Sequence, residues 1–305
     1  MISFRYHLVS LIGIFLAIAL GVVIGTTALN GAVVGDLRRQ VSDLKQSNAA
    51  SQTQSHNLQA QAGSADLLAQ TFGGKIAAGA LGKKAVVLVG APGASKGMRQ
   101  AIAGQITAAG GSVAGEVQLS KEFDDPRRAA DIQSLATSGA HPMGLQLPTT
   151  DSPGLLAGAL LGYVLLGHGQ GTDLTQVLAG FTTLNMLKVD SSAMAAGNAL
   201  VLVAPGGLPK SDEGGAMLQS FATELGTLGG PTVVAGDAAS ANQNGLIALV
   251  RGDDAAQKAV STVDDAGSSL GQLTTALAVA DALSGHKGQY GTAAGAEGLL
   301  PGASN

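Results

Sequence analysis

The sequence predicts a protein in three parts: a single N-terminal transmembrane helix, a coiled-coil stalk, and an α/β domain with a mainly parallel sheet and Rossmann-like layering. Three observations carry this reading. Residues 8 to 29 contain no charge, residues 31 to 70 repeat apolar positions in steps of three and four, and residues 80 to 290 alternate β-branched runs with helical segments. The expected divisions are a cytoplasmic tip and anchor over 1–30, the stalk over 31–70, an extracytoplasmic α/β domain over 80–290 and a disordered tail over 291–305.

The first part follows from length. The run from Leu8 to Leu29 is 22 residues long and holds only Ser10, Thr26 and Thr27 as hydroxyls. About 20 apolar residues match the hydrocarbon thickness of a bilayer at roughly 1.5 Å rise per residue. A signal peptide has a shorter apolar region, about 7–15 residues, and ends in a small-x-small site. Thr26-Thr27-Ala28 imitates such a site, but the run before it is too long. A core helix would carry a polar face, and none is visible. Gly13, Ala17, Gly21 and Gly25 form a ladder of small residues on which a second helix could approach closely. Arg5 and His7 before the span are matched by Arg38 and Arg39 after it, so flanking charge sets no orientation. The N-terminus is expected inside, because a long C-terminal domain crosses largely regardless of nearby charge.

Behind the span, Val34 and Val41 fall at a positions and Leu37 and Leu44 at d, a pattern that favours a parallel two-stranded coil. Asn48 falls at the next a position, where a buried amide fixes register. The repeat continues through Ser51, Ser55, Leu58, Ala62 and Ala65, though "KQSNAASQTQSHN" is too polar for a strong seam. Span and heptads lie on one helix and both call for self-association, so a homodimer through helix 8–65 is expected. A single solvated stalk helix is the alternative.

From Lys83 the pattern changes. "KKAVVLVGAPG", "SVAGEVQL", "NALVLVAPGG" and "PTVVAGD" read as strands, and "GLIALV" and "AVSTVDD" as further short strands or strand ends. "SKGMRQAIAGQITAAGG", "SDEGGAMLQSFATELGTLGG" and "SSLGQLTTALAVADALSG" read as helices, the last amphipathic through Leu270, Leu273, Leu277 and Ala280. Asp125 before Pro126 starts another. "PGLLAGALLGYVLLGHG" is apolar all round but too short to span, so it is a core helix. Strand–helix alternation argues for a parallel sheet with helices on both faces.

Composition limits the chemistry. Hydrophobic residues make up 46% of the chain but aromatic ones only 3%, with 45 Gly, so Ala and Gly supply much of the apolar count. Charged residues are 12% and the net charge is −4, which leaves no basic footprint for nucleic acid. The absence of Cys excludes a disulfide scaffold, a thiolate zinc site and a Cys nucleophile. There is no G-x-S-x-G, no H-E-x-x-H and no obvious carboxylate pair, so the chain is not expected to be an enzyme. Two strands end in glycine loops, "VGAPGASKG" and "APGGLPK"; neither is a dinucleotide or Walker motif, and tight turns explain them as well as anion binding does. They leave a ligand-binding domain as one functional class. With no Cys, soft Cu(I) would have Met and His as its ligands. His141 and Met143, flanking Pro142, are the best local pair, with Met186 or Met194 as a third ligand from elsewhere. Imidazole and thioether two residues apart point the same way only on an extended segment. The commoner role of scattered Met is core filling.

"MISFRYHLVSLIGIFLAIALGVVIGTT", the heptad stretch, "STVDD" and "GQLTTALAVADALSGHKGQYGTAAGA" together resemble the actinobacterial MctB family over effectively the whole chain. That resemblance implies a membrane protein of copper transport or efflux, and the family is described as an outer-membrane channel. A relative, SteB, instead looks like a coiled-coil division regulator, which implies a cytoplasmic SteA-like partner and a peptidoglycan hydrolase outside. The chain has no series of alternating segments of about 10 residues, as an outer-membrane barrel requires.

Residues 8 to 29 are expected to remain in the mature protein. N-terminal sequencing of membrane-purified protein checks this, and a mature start near Leu29 would overturn the anchor.

Overall fold

The computed structural model describes residues 4–137, 141–191, 193–208, 213–228 and 230–302. The chain divides into two compact units, Met1–Ser64 and Ala65–Asn305.

The first unit consists of helix. One helix, α1, runs Phe4–Ile76 without a break and enters the second unit at Ala65. Its segment Tyr6–Thr26 is long and apolar enough to cross a membrane and none of it is buried. The Thr26 hydroxyl donates to the Val22 carbonyl at 2.9 Å, which satisfies it within the helix. Gly13, Gly21 and Gly25 meet nothing within 4 Å. Leu37, Val41 and Leu44 are exposed, and Arg39 pairs with Asp36 at 2.7 Å.

The second unit follows as β1 (Ala85–Gly90), α2 (Lys96–Ala108), β2 (Ser112–Leu119), α3 (Ala129–Thr137), α4 (Pro153–Leu165), α5 (Asp173–Thr183), β3 (Leu187–Val189), β4 (Ala199–Val203), α6 (Glu213–Thr227), β5 (Thr232–Ala235), α7 (Leu246–Arg251), α8 (Asp254–Ala259), β6 (Ser261–Val263), α9 (Ser269–Leu283) and β7 (Gln289–Tyr290). The sheet order is β3-β2-β1-β4-β5-β6-β7, with every pairing parallel except the antiparallel β2–β3 edge. Successive residues of a strand face opposite sides. Accordingly Val87, Val89, Leu200, Leu202 and Val234 join one buried cluster with α3 to α8. Val86, Leu88, Val201, Val203 and Val233 join another, with α2, α9 and the end of α1.

Local signals explain these elements. Ser95 caps α2 by accepting from Met98 N, Ser152 caps α4 from Leu155 N, and Asp125 accepts from Arg127 N just before Pro126. The last turns of α1 dock through Ala69 and Ala77, with Gly73 over Leu273 and Gly74 over Ala108. Asp66 holds the start of α9, accepting from Ser269 N and from Leu270 N, the latter at 3.3 Å.

Two expectations need correction. "GLIALV" is helix α7, not a strand. Gly245 caps it, and Leu246, Ile247, Val250 and Arg251 bury one face at helical spacing. The tail is not disordered over 291–302. Gly291 N donates to Gly298 O at 2.9 Å, and Thr292 N to Asp264 at 2.8 Å. Tail residues 303–305 lie outside the described residues. The second unit begins at Ala65, within the stretch 31–70 read as stalk.

α4 is buried on nearly every side because Gly154, Gly158 and Gly162 let it lie against α6. A Cβ at Gly158 would fall 2.6 Å from Glu224 Cβ. Gly158→Val is therefore expected to lower stability by about 1–3 kcal/mol. Gly104→Ala, at an exposed site in α2 with nothing within 4 Å, should instead raise it by roughly 0.5–1 kcal/mol. Thermal unfolding of the two variants checks the contrast.

Candidate functional site

β1 and β4 are neighbours, yet the chain leaves β1 toward β2 on one side and β4 toward β5 on the other. This is a topological switch point, where open α/β sheets place ligands outside the carboxyl ends of their strands. Both central strands end there in Ala-Pro-Gly, as Ala91-Pro92-Gly93 and Ala204-Pro205-Gly206. Ala91 N donates to Val203 O at 2.9 Å, and a Cβ on Gly93 would touch Pro205 at 3.7 Å. The paired loops thus close on each other at the centre. The space beside them opens under Gly206 and Gly207, where a cavity of about 500 Å³ is bounded on its far side by residues 239–245. Lys96, beside the first loop, is exposed. Lys210, beside the second, lies outside the described residues.

The residues named for soft metal do not come together. His141 and Met143 are exposed, Met143 to 92%. His141 precedes and Met143 lies within a turn closed by Leu145 N donating to Pro142 O at 3.2 Å, with Gly144 at φ +92°. Met186 has no exposed surface and sits in the core. Met194 is partly buried, its sulfur accepting from the Ser191 hydroxyl at 3.9 Å. Among the described residues, no group of three or more His, Asp and Glu could hold a metal ion.

Sequence reasoning missed two buried arginines. Arg99, on α2, donates to Glu116 at 3.1 Å and Asp190 at 2.5 Å, and to Gln118 between them. It ties α2 to β2 and to the residue after β3. Arg251, at the end of α7, donates to Asp264 at 2.7 Å, to Thr262 Oγ1 at 2.9 Å and to Tyr290 O at 2.8 Å. Asp264 also accepts from Thr292 N and Ala293 N. Here "STVDD", which contains strand β6, meets "GQYGTAAGA", two stretches that also carry the family resemblance. Every polar atom of the Arg251 fork has a partner, so the cluster anchors the C-terminal segment.

Beside it, Asp265 has a buried Oδ1 with no hydrogen-bond partner. Burial, and then the Asp264 charge, push its carboxyl from 3.8 up to about 6. Burial raises Glu224 as well.

Fold and site together define an α/β protein carried on one N-terminal helix of membrane-spanning length, with its buried arginines engaged in structure. The chain belongs to the family described as "Copper transport outer membrane protein, MctB", whose model matches residues 1–301. It is 33% identical over 308 residues to proteins named "Copper transporter MctB" in Mycobacterium bovis and Mycobacterium tuberculosis, covering 97% of this chain and 98% of theirs. The protein of the same name in Mycobacterium leprae is also 33% identical, over 315 residues, with 98% and 99% covered.

The Asp265 shift fixes a sign. Between pH 3.8 and about 6 the folded protein keeps a proton that the unfolded chain has lost. Its contribution to stability is fully present below that window and disappears as pH rises through it. Asp265→Asn should therefore raise the melting temperature more at pH 7 than at pH 4. Equal shifts at the two pH values would show that this carboxyl does not titrate as its burial requires.

Proposed function

We propose that this chain is a membrane-anchored, non-enzymatic envelope protein of copper homeostasis. The observation that carries the reading is the identity of 33% over 97% of the chain to proteins named copper transporters. The protein crosses the bilayer once, with its N-terminus in the cytoplasm and its α/β unit outside. It is a homodimer through α1. Exposed Leu37, Val41 and Leu44 support the dimer, since a and d side chains left in water are what a second helix covers. The layering is of the Rossmann type, supported by the order β3-β2-β1-β4-β5-β6 and by apolar clusters against both faces.

One helix cannot enclose a pore, so conduction by this family member needs several copies around a common axis. Direct handling of Cu(I) would fall to exposed His141 and Met143. A second reading is a division adaptor, joining a cytoplasmic SteA-like protein to a peptidoglycan hydrolase outside. It is favoured by the same exposed heptad seam, which suits a scaffold better than a channel.

One complementation experiment separates these readings. A deletion strain is scored for copper sensitivity and for cell separation, then supplied with wild type, Leu37→Asp/Leu44→Asp, or His141→Ala/Met143→Ala. Copper tolerance restored only by wild type and by the heptad variant supports direct binding at His141 and Met143. Tolerance that survives the His141/Met143 variant but fails with the heptad variant, monomeric in detergent, supports an indirect effect through the dimer. A separation defect without copper sensitivity would overturn the copper reading in favour of the adaptor.

A further inference from the structure

We infer that the cavity at the carboxyl edge of β4 and β5 is a binding site for a neutral small molecule rich in amide and hydroxyl groups, of the size of an N-acetylated sugar or a dipeptide. This takes further the ligand-binding class that the glycine loops suggest, and it stands independently of copper. The volume, about 500 Å³, falls within the roughly 300–1,000 Å³ of small-molecule sites. Its place beside the switch point is where sheets of this kind bind ligands.

The wall chemistry sets the class. On one side lie the backbone of Gly206 and Gly207 and the side chain of Leu208; on the other lie Asn242, Gln243 and Asn244. Among the described residues, the two glycine N–H groups and the three carboxamides have no hydrogen-bond partner. They offer donors and acceptors together, as an amide or hydroxyl ligand requires. No described lining residue is charged. Asp237, beside Gly206, is engaged in its own loop through Oδ1, which accepts from Ala239 N at 3.0 Å and Ser240 N at 3.2 Å.

The walls are fixed before any ligand arrives. The Ser240 hydroxyl donates to Asp237 O at 2.5 Å, and Leu208 N donates to Asn244 O at 3.2 Å, joining the two walls. Gly236 and Gly245 lie against Ser240 so closely that any side chain there would overlap it. A preformed site loses less entropy when it binds.

Gly207 makes the test. A Cβ there meets nothing within 4 Å and its backbone is not left-handed, so Gly207→Leu sets a bulky side chain at the cavity edge without overlapping the fold. Full-length protein in nanodiscs is titrated by ligand-observed NMR with tri-N-acetylchitotriose and with N-acetyl-Ala-Ala-amide. Saturation by at least one probe, with a dissociation constant on the order of 1 mM and weakened about tenfold or more by Gly207→Leu, supports the site. Binding of the sugar alone assigns a glycan source, and binding of the dipeptide alone a peptide source. Asn242→Ala/Asn244→Ala should weaken the same probe, and this pair decides the matter if Gly207→Leu fails to fold. Saturation by neither probe, or binding unchanged in a variant that melts like wild type, would overturn the inference.

Discussion

Close backbone approach is the constraint on which the globular unit depends. β1, β4 and β5 are buried on both faces, so helices must cover the sheet twice. A chain with 45 Gly and 3% aromatic residues cannot fill wide gaps between layers; it must bring the layers together. A Cβ on Gly158 would sit 2.6 Å from Glu224 Cβ, on Gly226 2.6 Å from Val260 Cγ1, and on Gly271 2.6 Å from Ala266 N. Each glycine marks a contact where any side chain would force helix from helix or helix from loop. The few large rings then gather where space remains. Phe123 and Phe221 meet edge to face at 5.0 Å, with Phe181 at 6.3 Å from Phe123. The glycines that make the composition look featureless are what make the packing specific.

This also explains which elements were legible. β1, β4 and β5 are continuous β-branched runs because both faces are buried, and such runs stand out from any local pattern. α4 was readable as core from length and apolarity alone. "GLIALV" was not, because a short apolar run has no period long enough to separate strand from helix. What decides it is Gly245, packed against Ser240, a contact between residues whose meeting no local pattern announces. The ordered tail was illegible for a similar reason. Residues 291–298 carry no periodicity, and their structure comes from Asp264 and Arg251, which lie far back in the chain.

The site was legible only in part. The glycine loops were visible as punctuation, but not their meeting at the centre of the sheet, nor the loop 239–245 opposite them. The His141 and Met143 pair followed from ligand chemistry, and the structure adds their exposure without adding a partner. Nothing in the sequence singled out Arg99 and Arg251, yet both are buried and fully engaged. Removing one partner of such a cluster strands a charge in the interior, at a cost of about 3–5 kcal/mol. In the family-like stretches at the end of the chain, Thr262, Asp264 and Tyr290 are held by Arg251 as part of the fold.

The two units present opposite situations. In the globular unit each sheet face has its helices, and its buried arginines are paired. In the first unit Tyr6–Thr26 and the heptad residues Leu37, Val41 and Leu44 are apolar and entirely without cover. Water does not tolerate a helix of that kind alone, so its surroundings must supply what the chain does not. Lipid does so for the span, where small residues at Gly13, Gly21 and Gly25 keep one stripe open to a close neighbour. Beyond the hydrocarbon-length run lipid offers no such cover to Leu37, Val41 and Leu44. Those three side chains are where a second helix would find apolar surface, at the three-and-four spacing that heptad packing uses.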